Sequence, residues 1–333
     1  MRNRDAVHGS TRRVFFRRAA YAAGGCVLLP GRVMEAAERP SGADHCIFIR
    51  MVGGPSHADT FDLKEGPWLP RSFQPARYGD VLFPRGLFPD LAERLGSIAL
   101  VRSVRARSLV HELAQSWLMQ AERVAGRAGQ AGVDAELRGF DNLGPAPDGA
   151  EAPGEEDRAR YGDTRLGNAC VAARNLLRSG HSRQLIQIDS TGWDNHESIY
   201  AGALNAADPN SLARQFDRAV ARLIGDLALD GLLDRTLVVA MGEFGRTVGP
   251  LNHSAGRDHY PQQAVMVAGA GIRGPKAIGA TDRQGSATVD SGWRRAGDIR
   301  TEDIQATIYA ALGVDWVSGL RGEDRGTVEE LWG

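Results

Sequence analysis

Three apolar runs in this chain each break off into a glycine-led segment crowded with polar groups, and that alternation narrows the possible folds more than any other feature. Cys46-Ile47-Phe48-Ile49-Arg50-Met51-Val52 leads into Gly53-Gly54-Pro55-Ser56-His57-Ala58-Asp59-Thr60-Phe61-Asp62. Leu185 to Asp189 leads, after a two-residue gap, into Gly192-Trp193-Asp194-Asn195-His196, and Leu237 to Met241 into Gly242-Glu243-Phe244-Gly245-Arg246-Thr247. Short unbroken apolar runs bounded by glycine fit strands covered on both faces. Ile98 to Val101 and Ala264 to Ala268 read as further strands. Helical patterns lie between them: His111 to Val124, Leu166 to Leu177, and the stripe Leu212, Phe216, Val220, Leu223, Ile224 and Leu227 behind a possible N-cap at Asn210. Thr301, followed by Glu302 and Asp303, opens a last helix that Gly313 closes. Strands alternating with helices predict an α/β fold with a mostly parallel sheet and helices on both faces.

In such a sheet ligands bind outside the carboxyl ends of the strands, so the polar segments converge on one crevice. Their residue types suit a metal. Imidazole and carboxylate together favour zinc, manganese or iron, whereas carboxylates alone would favour magnesium or calcium. Asp194 and His196 stand two apart, so on extended backbone both point the same way and both reach one ion. His259, in the later segment Gly256-Arg257-Asp258-His259-Tyr260, supplies a third ligand, and Glu243 could hold a second ion with help from the first segment. Taken one at a time, each segment is as well explained as a tight turn or a surface hydrogen-bonded cluster; together at strand ends they make a site the better reading.

The four segments, in this order, resemble the signature of the family called domain of unknown function 1501, related to the alkaline-phosphatase and sulfatase superfamily. The likeness runs from about Ala43 to the end, through Ile278-Gly279-Ala280-Thr281-Asp282 and the stretch from Asp303 to Gly313; Asn195 and Tyr260 depart from the family's Thr and Trp. The resemblance implies a three-layer alkaline-phosphatase-like fold holding one or two divalent ions. It implies that Asp194, His196 and His259 take the first ion and Glu243 the second. Gly53 and Gly54 stand where the superfamily places an acid for that second ion, so Asp59, Asp62 or His57 would have to substitute. Phe244 stands where most relatives carry a histidine ligand.

A superfamily hydrolase attacks with a hydroxyl or thiol at a helix N-terminus, where backbone amides and the dipole hold the anionic substrate. Ser108 and His111, at the head of the predicted helix, are positional candidates, and Ser56 and Thr60 compete with them. A lone loop serine is more often a cap or turn residue. Arg246 and Arg257 have the fork geometry that binds an oxyanion, and equally fit as partners of Glu243 and Asp258.

The N-terminus concerns location. Thr11-Arg12-Arg13-Val14-Phe15-Phe16-Arg17, followed by a mildly apolar stretch from Ala19 to Leu29, fits a twin-arginine export leader, with Arg12, Arg13 and Phe15 as its signal. That stretch is too short and too weakly apolar to span a membrane. The expected division is a leader over 1–42 and one domain over 43–333, with a flexible loop at about 126–156, where the sequence turns rich in Gly, Ala, Pro and acids. Periplasmic or secreted location follows, with the twin-arginine translocase as a partner during export.

Charge excludes one class. Forty Lys and Arg against 41 Asp and Glu in 333 residues leave no basic field to attract nucleic acid. Cys46 and Cys170 sit in apolar surroundings and read as buried free thiols. Two functions stay open. One is an exported metal-dependent hydrolase of phosphate or sulfate esters, small or polymer-attached; the other is a non-catalytic exported protein that keeps the fold and binds a metal or ligand.

Overall fold

A computed structural model describes residues 40–118, 138–142, 153–180, 184–313 and 325–333. The leader residues Arg12, Arg13 and Phe15 lie outside the described residues. Eight strands form one sheet: β1 His45–Val52, β2 Ile98–Arg105, β3 Arg138–Asn142, β4 Gln184–Thr191, β5 Thr236–Met241, β6 Gln262–Gly269, β7 Lys276–Ile278 and β8 Ile299–Arg300. Their order across the sheet is β7-β2-β6-β5-β1-β4-β3, with β8 also pairing β2. β1 runs parallel to β4 and β5, in register Val52↔Thr191 and Arg50↔Met241. β6 is antiparallel to both neighbours, β2 and β5.

The alternation of side chains on these strands builds two cores, because successive residues face opposite sides of a sheet. Ile47, Ile49 and Met51 of β1 pack on one side with Phe216, Val220, Leu223 and Leu227 of α4 (Leu212–Leu229) and with Cys170 and Leu177 of α3 (Arg165–Arg178). Cys46 and Phe48 face the other side, against Ile304, Ile308 and Leu312 at α5 (Thr301–Ala311) and Leu118 of α1 (His111–Leu118). The three-layer α/β arrangement is therefore present. Both cysteines are free and buried, and burial pushes the Cys170 thiol up to about 12.

Several boundaries move. The hydroxyl that caps α4 belongs to Ser211, whose Oγ accepts from Arg214 N at 3.4 Å, not to Asn210. Arg300, not Thr301, caps α5, its N–H reaching Asp303 Oδ2 at 2.8 Å. Within the stretch 126–156, read as loop, Arg138–Asn142 pairs in parallel with β4 at the sheet edge and α2 (Glu155–Tyr161) begins; the remainder lies largely outside the described residues. Among the described residues no helix is long and apolar enough to cross a membrane.

Candidate metal centre

Strand direction brings the polar segments together. β1, β4 and β5 are adjacent and parallel, so the loops that begin at Gly53, Gly192 and Gly242 leave the same edge of the sheet. β2 also ends there and leads to His111 at the start of α1. The antiparallel β6 begins at that edge, so His259, three residues before it, arrives from the opposite direction.

The Asp194 loop is fixed by its neighbour Trp193, which is buried, donates from Nε1 to Ser190 Oγ at 3.0 Å and meets the Phe216 ring edge-on at 5.7 Å. The first loop lies directly against it. A Cβ on Gly53, whose φ is +112°, would come within 2.3 Å of Asp194 N, and one on Gly54 within 2.7 Å of the Phe244 ring. Any side chain at either position would collide with these atoms, so the loop runs through glycine at both.

Three imidazoles surround Asp194, and each has its Nδ1 against an acceptor. His111 Nδ1 lies 2.9 Å from Glu243 Oε1, His196 Nδ1 3.0 Å from Asp258 Oδ1, and His259 Nδ1 2.8 Å from the Leu109 carbonyl. Carboxylates and carbonyls carry no proton to give, so Nδ1 is protonated in all three rings, and in the neutral form of each ring Nε2 is the lone pair. Those lone pairs converge. His196 Nε2 is 3.0 Å and His259 Nε2 3.3 Å from Asp194 Oδ1, while His111 Nε2 is 3.5 Å from Oδ2. His196 Nε2 and His259 Nε2 face each other at 3.1 Å.

A cation fits this set. Ligands of tetrahedral zinc at 2.0–2.1 Å stand about 3.3 Å from one another, which is the scale of the separations around Asp194. His111, Asp194 and His259 bring their ligand atoms within 4.8 Å of one another, and His196 lies beside the last two. His111 Nε2 is buried and has no hydrogen-bond partner among the described residues. Two facing nitrogens without a hydrogen between them repel unless something positive lies between.

The Asp194 carboxyl is pushed upward by partial burial, but hydrogen bonding to the Arg246 guanidinium and its charge overcome this and hold it down at about 2. Arg246 is positioned by a two-residue ladder in which it pairs with His259. Its side chain is 0% exposed; Nη2 donates to Asp194 Oδ1 at 2.5 Å and to the Gly53 carbonyl, and Nε to the Gly54 carbonyl at 2.8 Å. Arg246 therefore faces inward, and its carboxylate partner is Asp194 rather than Glu243.

Glu243 stands against His111. Its Oε1 accepts from His111 Nδ1, from Gly53 N at 2.9 Å and from Gln115 Nε2 at 3.3 Å, contacts that orient the His111 ring. His111, whose position pointed only to the catalytic group, stands with Asp194 and His259 among the groups that could hold a metal ion. The signal available in sequence was the spacing of His111 and Gln115, one helical turn apart on the face that meets Glu243.

The first segment serves the scaffold. Asp59 is buried in a two-pronged pair with Arg257, at 2.6 and 3.2 Å, and accepts from Ser56 Oγ at 2.6 Å and Tyr200 OH at 2.8 Å. Arg257 thus pairs with Asp59 and not with Asp258; Tyr200, a member of this cluster, lies outside the four segments. Asp62 pairs with Lys64 at 3.0 Å and accepts from Thr281 Oγ1. His57 is buried, with Nε2 2.8 Å from the Gly285 carbonyl. Thr60 Oγ1 donates to the Ser56 carbonyl at 2.7 Å. Ser108 is half-buried at the head of α1, its Oγ accepting from Val110 N at 3.1 Å.

Several solved structures are similar to the chain in overall shape. The lipoteichoic acid synthase LtaP from Listeria monocytogenes matches at 10% identity and a TM-score of 0.42, over 94% of this chain and 81% of that one. An alkaline phosphatase superfamily protein from Vibrio parahaemolyticus matches at 12% and 0.40, over 92% and 77%. A putative sulfatase from Bacteroides thetaiotaomicron matches at 12% and 0.45, over 86% and 74%. No curated protein matches the chain. The family described as Protein of unknown function (DUF1501) matches residues 68–325, a stretch that holds His111, Asp194, His196, Glu243, Arg246 and His259 but starts after the first glycine loop, and this chain belongs to that family.

Proposed function

We propose that this protein is an exported, metal-dependent hydrolase of phosphate or sulfate esters, with the metal held by His111, Asp194, His196 and His259. The observation that carries the reading is the convergence of three imidazole Nε2 atoms on one carboxylate, which with neutral rings makes a donor set of three nitrogens and an oxygen that suits zinc, manganese or iron. Such an ion, when bound, acts as a Lewis acid toward an ester oxygen. The chain's own residues do the rest. Glu243, Asp258 and the Leu109 carbonyl fix the tautomer and orientation of the three rings, and Arg246 holds Asp194 ionised and in place. Asp194 and His196 are each nearly half exposed, so an ester reaches the centre from solvent.

Of the hydroxyls, Ser56 and Thr60 are buried and donate internally, while Ser108 only accepts, from Val110 N. Its own proton has no acceptor among the described residues. Ser108 also precedes Leu109, whose carbonyl holds His259, so it borders the centre and is the side chain we assign to attack. Attack by its oxygen would displace the alcohol, and water would then release phosphate or sulfate.

A binding-only reading is favoured by one observation: the forks of both Arg246 and Arg257 are spent on internal partners and offer no clamp to an oxyanion. Purified protein loaded with zinc or manganese and given aryl phosphates and aryl sulfates separates the two. Turnover abolished by chelation and by Ser108→Ala, with metal retained in that variant, supports the hydrolase; a loaded protein inert across the panel supports binding alone. Export rests on Arg12, Arg13 and Phe15, and delivery of an Arg12→Lys, Arg13→Lys double variant to the periplasm would contradict it.

A further inference from the structure

We infer that Arg246 is a built-in cation that takes the place of a second metal ion, so that the centre binds one ion per chain. The inference rests on the metal reading above and adds the number of ions and the residue that sets it.

The environment of the guanidinium is a coordination shell in all but name. Besides Asp194 Oδ1 it is surrounded by four backbone carbonyls, those of Gly53, Gly54, Trp193 and Arg257, with Nη1 to Arg257 O at 3.0 Å and Nη2 to Trp193 O at 3.4 Å. A carboxylate and several carbonyls are the oxygen ligands that a hard divalent cation takes. Here a guanidinium occupies them. Its Nη1 also lies 3.4 Å from His196 Nε2, so the fixed charge abuts the metal ligands directly.

The surrounding residues leave no alternative carboxylate pair. The tight approach of Gly53 to Asp194 N and of Gly54 to Phe244 excludes an acidic side chain at these two positions. Glu243 commits Oε1 to three donors; its Oε2 is buried without a partner among the described residues and is a single oxygen, with the aromatic ring of Phe244 next along the chain. Asp59 is neutralised by Arg257. A second divalent ion among the Gly53, Gly54, Trp193 and Arg257 carbonyls would therefore have to displace a positive charge that cannot move away, because that charge is fully buried and held by five acceptors.

Native mass spectrometry of the folded chain in excess zinc tests this. One zinc per wild-type chain is expected, and also one for Arg246→Lys, which keeps the charge. Two zinc ions on the wild type would overturn the inference while leaving the metal centre standing; none would overturn the metal centre itself. A second arm separates charge from packing. Arg246→Ala should lose thermal stability, and millimolar guanidinium should recover part of the loss where urea, its neutral isostere, recovers none. Equal recovery by urea, or none by guanidinium, would overturn the assignment of a cation site. Should Arg246→Ala fail to fold, the stoichiometry of Arg246→Lys decides, and two ions there contradict the inference.

Discussion

Glu243 Oε1 and His111 Nδ1 are 2.9 Å apart across 132 residues of sequence, and this contact decides which nitrogen of His111 faces Asp194. The carboxylate accepts a hydrogen bond from Nδ1, so in the neutral ring Nε2 is the lone pair and faces the Asp194 carboxylate. On the proposed function Glu243 acts through His111.

That division of labour has a measurable consequence. His111→Ala should remove a ligand and cost most of the bound metal, as should His259→Ala. Glu243→Gln should weaken affinity by about 10 to 100-fold, the range for a residue that orients a ligand. Competition with a metallochromic chelator gives both values. A Glu243→Gln loss as complete as that of His111→Ala would make Glu243 a ligand.

Arg257 and Asp59 form a pair in which both side chains are 0% exposed. Removing one partner leaves a buried charge uncompensated, which costs about 3–5 kcal/mol. Arg257→Met should accordingly lower the urea midpoint sharply, while the folded fraction keeps its metal, because none of the four proposed ligands is touched. Unchanged stability would show that Asp59 finds another partner or a proton.

His57 governs stability on the acid side. Burial lowers its pKa from the ordinary 6.5, against smaller opposing effects of Asp62, the Gly285 carbonyl and Asp59. The fold keeps the ring neutral where the unfolded chain takes up a proton, so its contribution is present above that pH and is lost as pH falls below it. The slope is at most about 1.4 kcal/mol per pH unit for one proton. Urea titrations of chelator-treated protein between neutral and mildly acid pH should show this decline, and His57→Gln should shallow it, leaving the share of His45, which burial lowers in the same sense. An identical slope in the variant would exclude His57 as its source.

The sheet was legible because strands covered on both faces must be apolar throughout, as Leu237 to Met241 is, and because glycines mark where they stop. Direction was not. Nothing in the run Ala264 to Ala268 says that its strand is antiparallel, yet that reversal is what brings His259 to the edge where Asp194 and His196 lie. Side-chain pairing was equally hidden. Arg246 and Arg257 sit near acids in sequence, Glu243 and Asp258, but bind Asp194 and Asp59, because the Asp194 loop packs against the first glycine segment, which itself supplies Asp59. The role of His111 depends on an acceptor 132 residues away, and its spacing from Gln115 marks a shared helix face without naming Glu243 as what meets it.

The central claim is that His111, His196, His259 and Asp194 hold one ion, and X-ray absorption of the zinc-loaded chain addresses it most directly. The account predicts a four-coordinate shell of imidazole nitrogens and one carboxylate oxygen at about 2.0–2.2 Å. His111→Ala should remove one imidazole contribution. A folded protein that does not retain zinc, or a zinc shell without histidine, would contradict it.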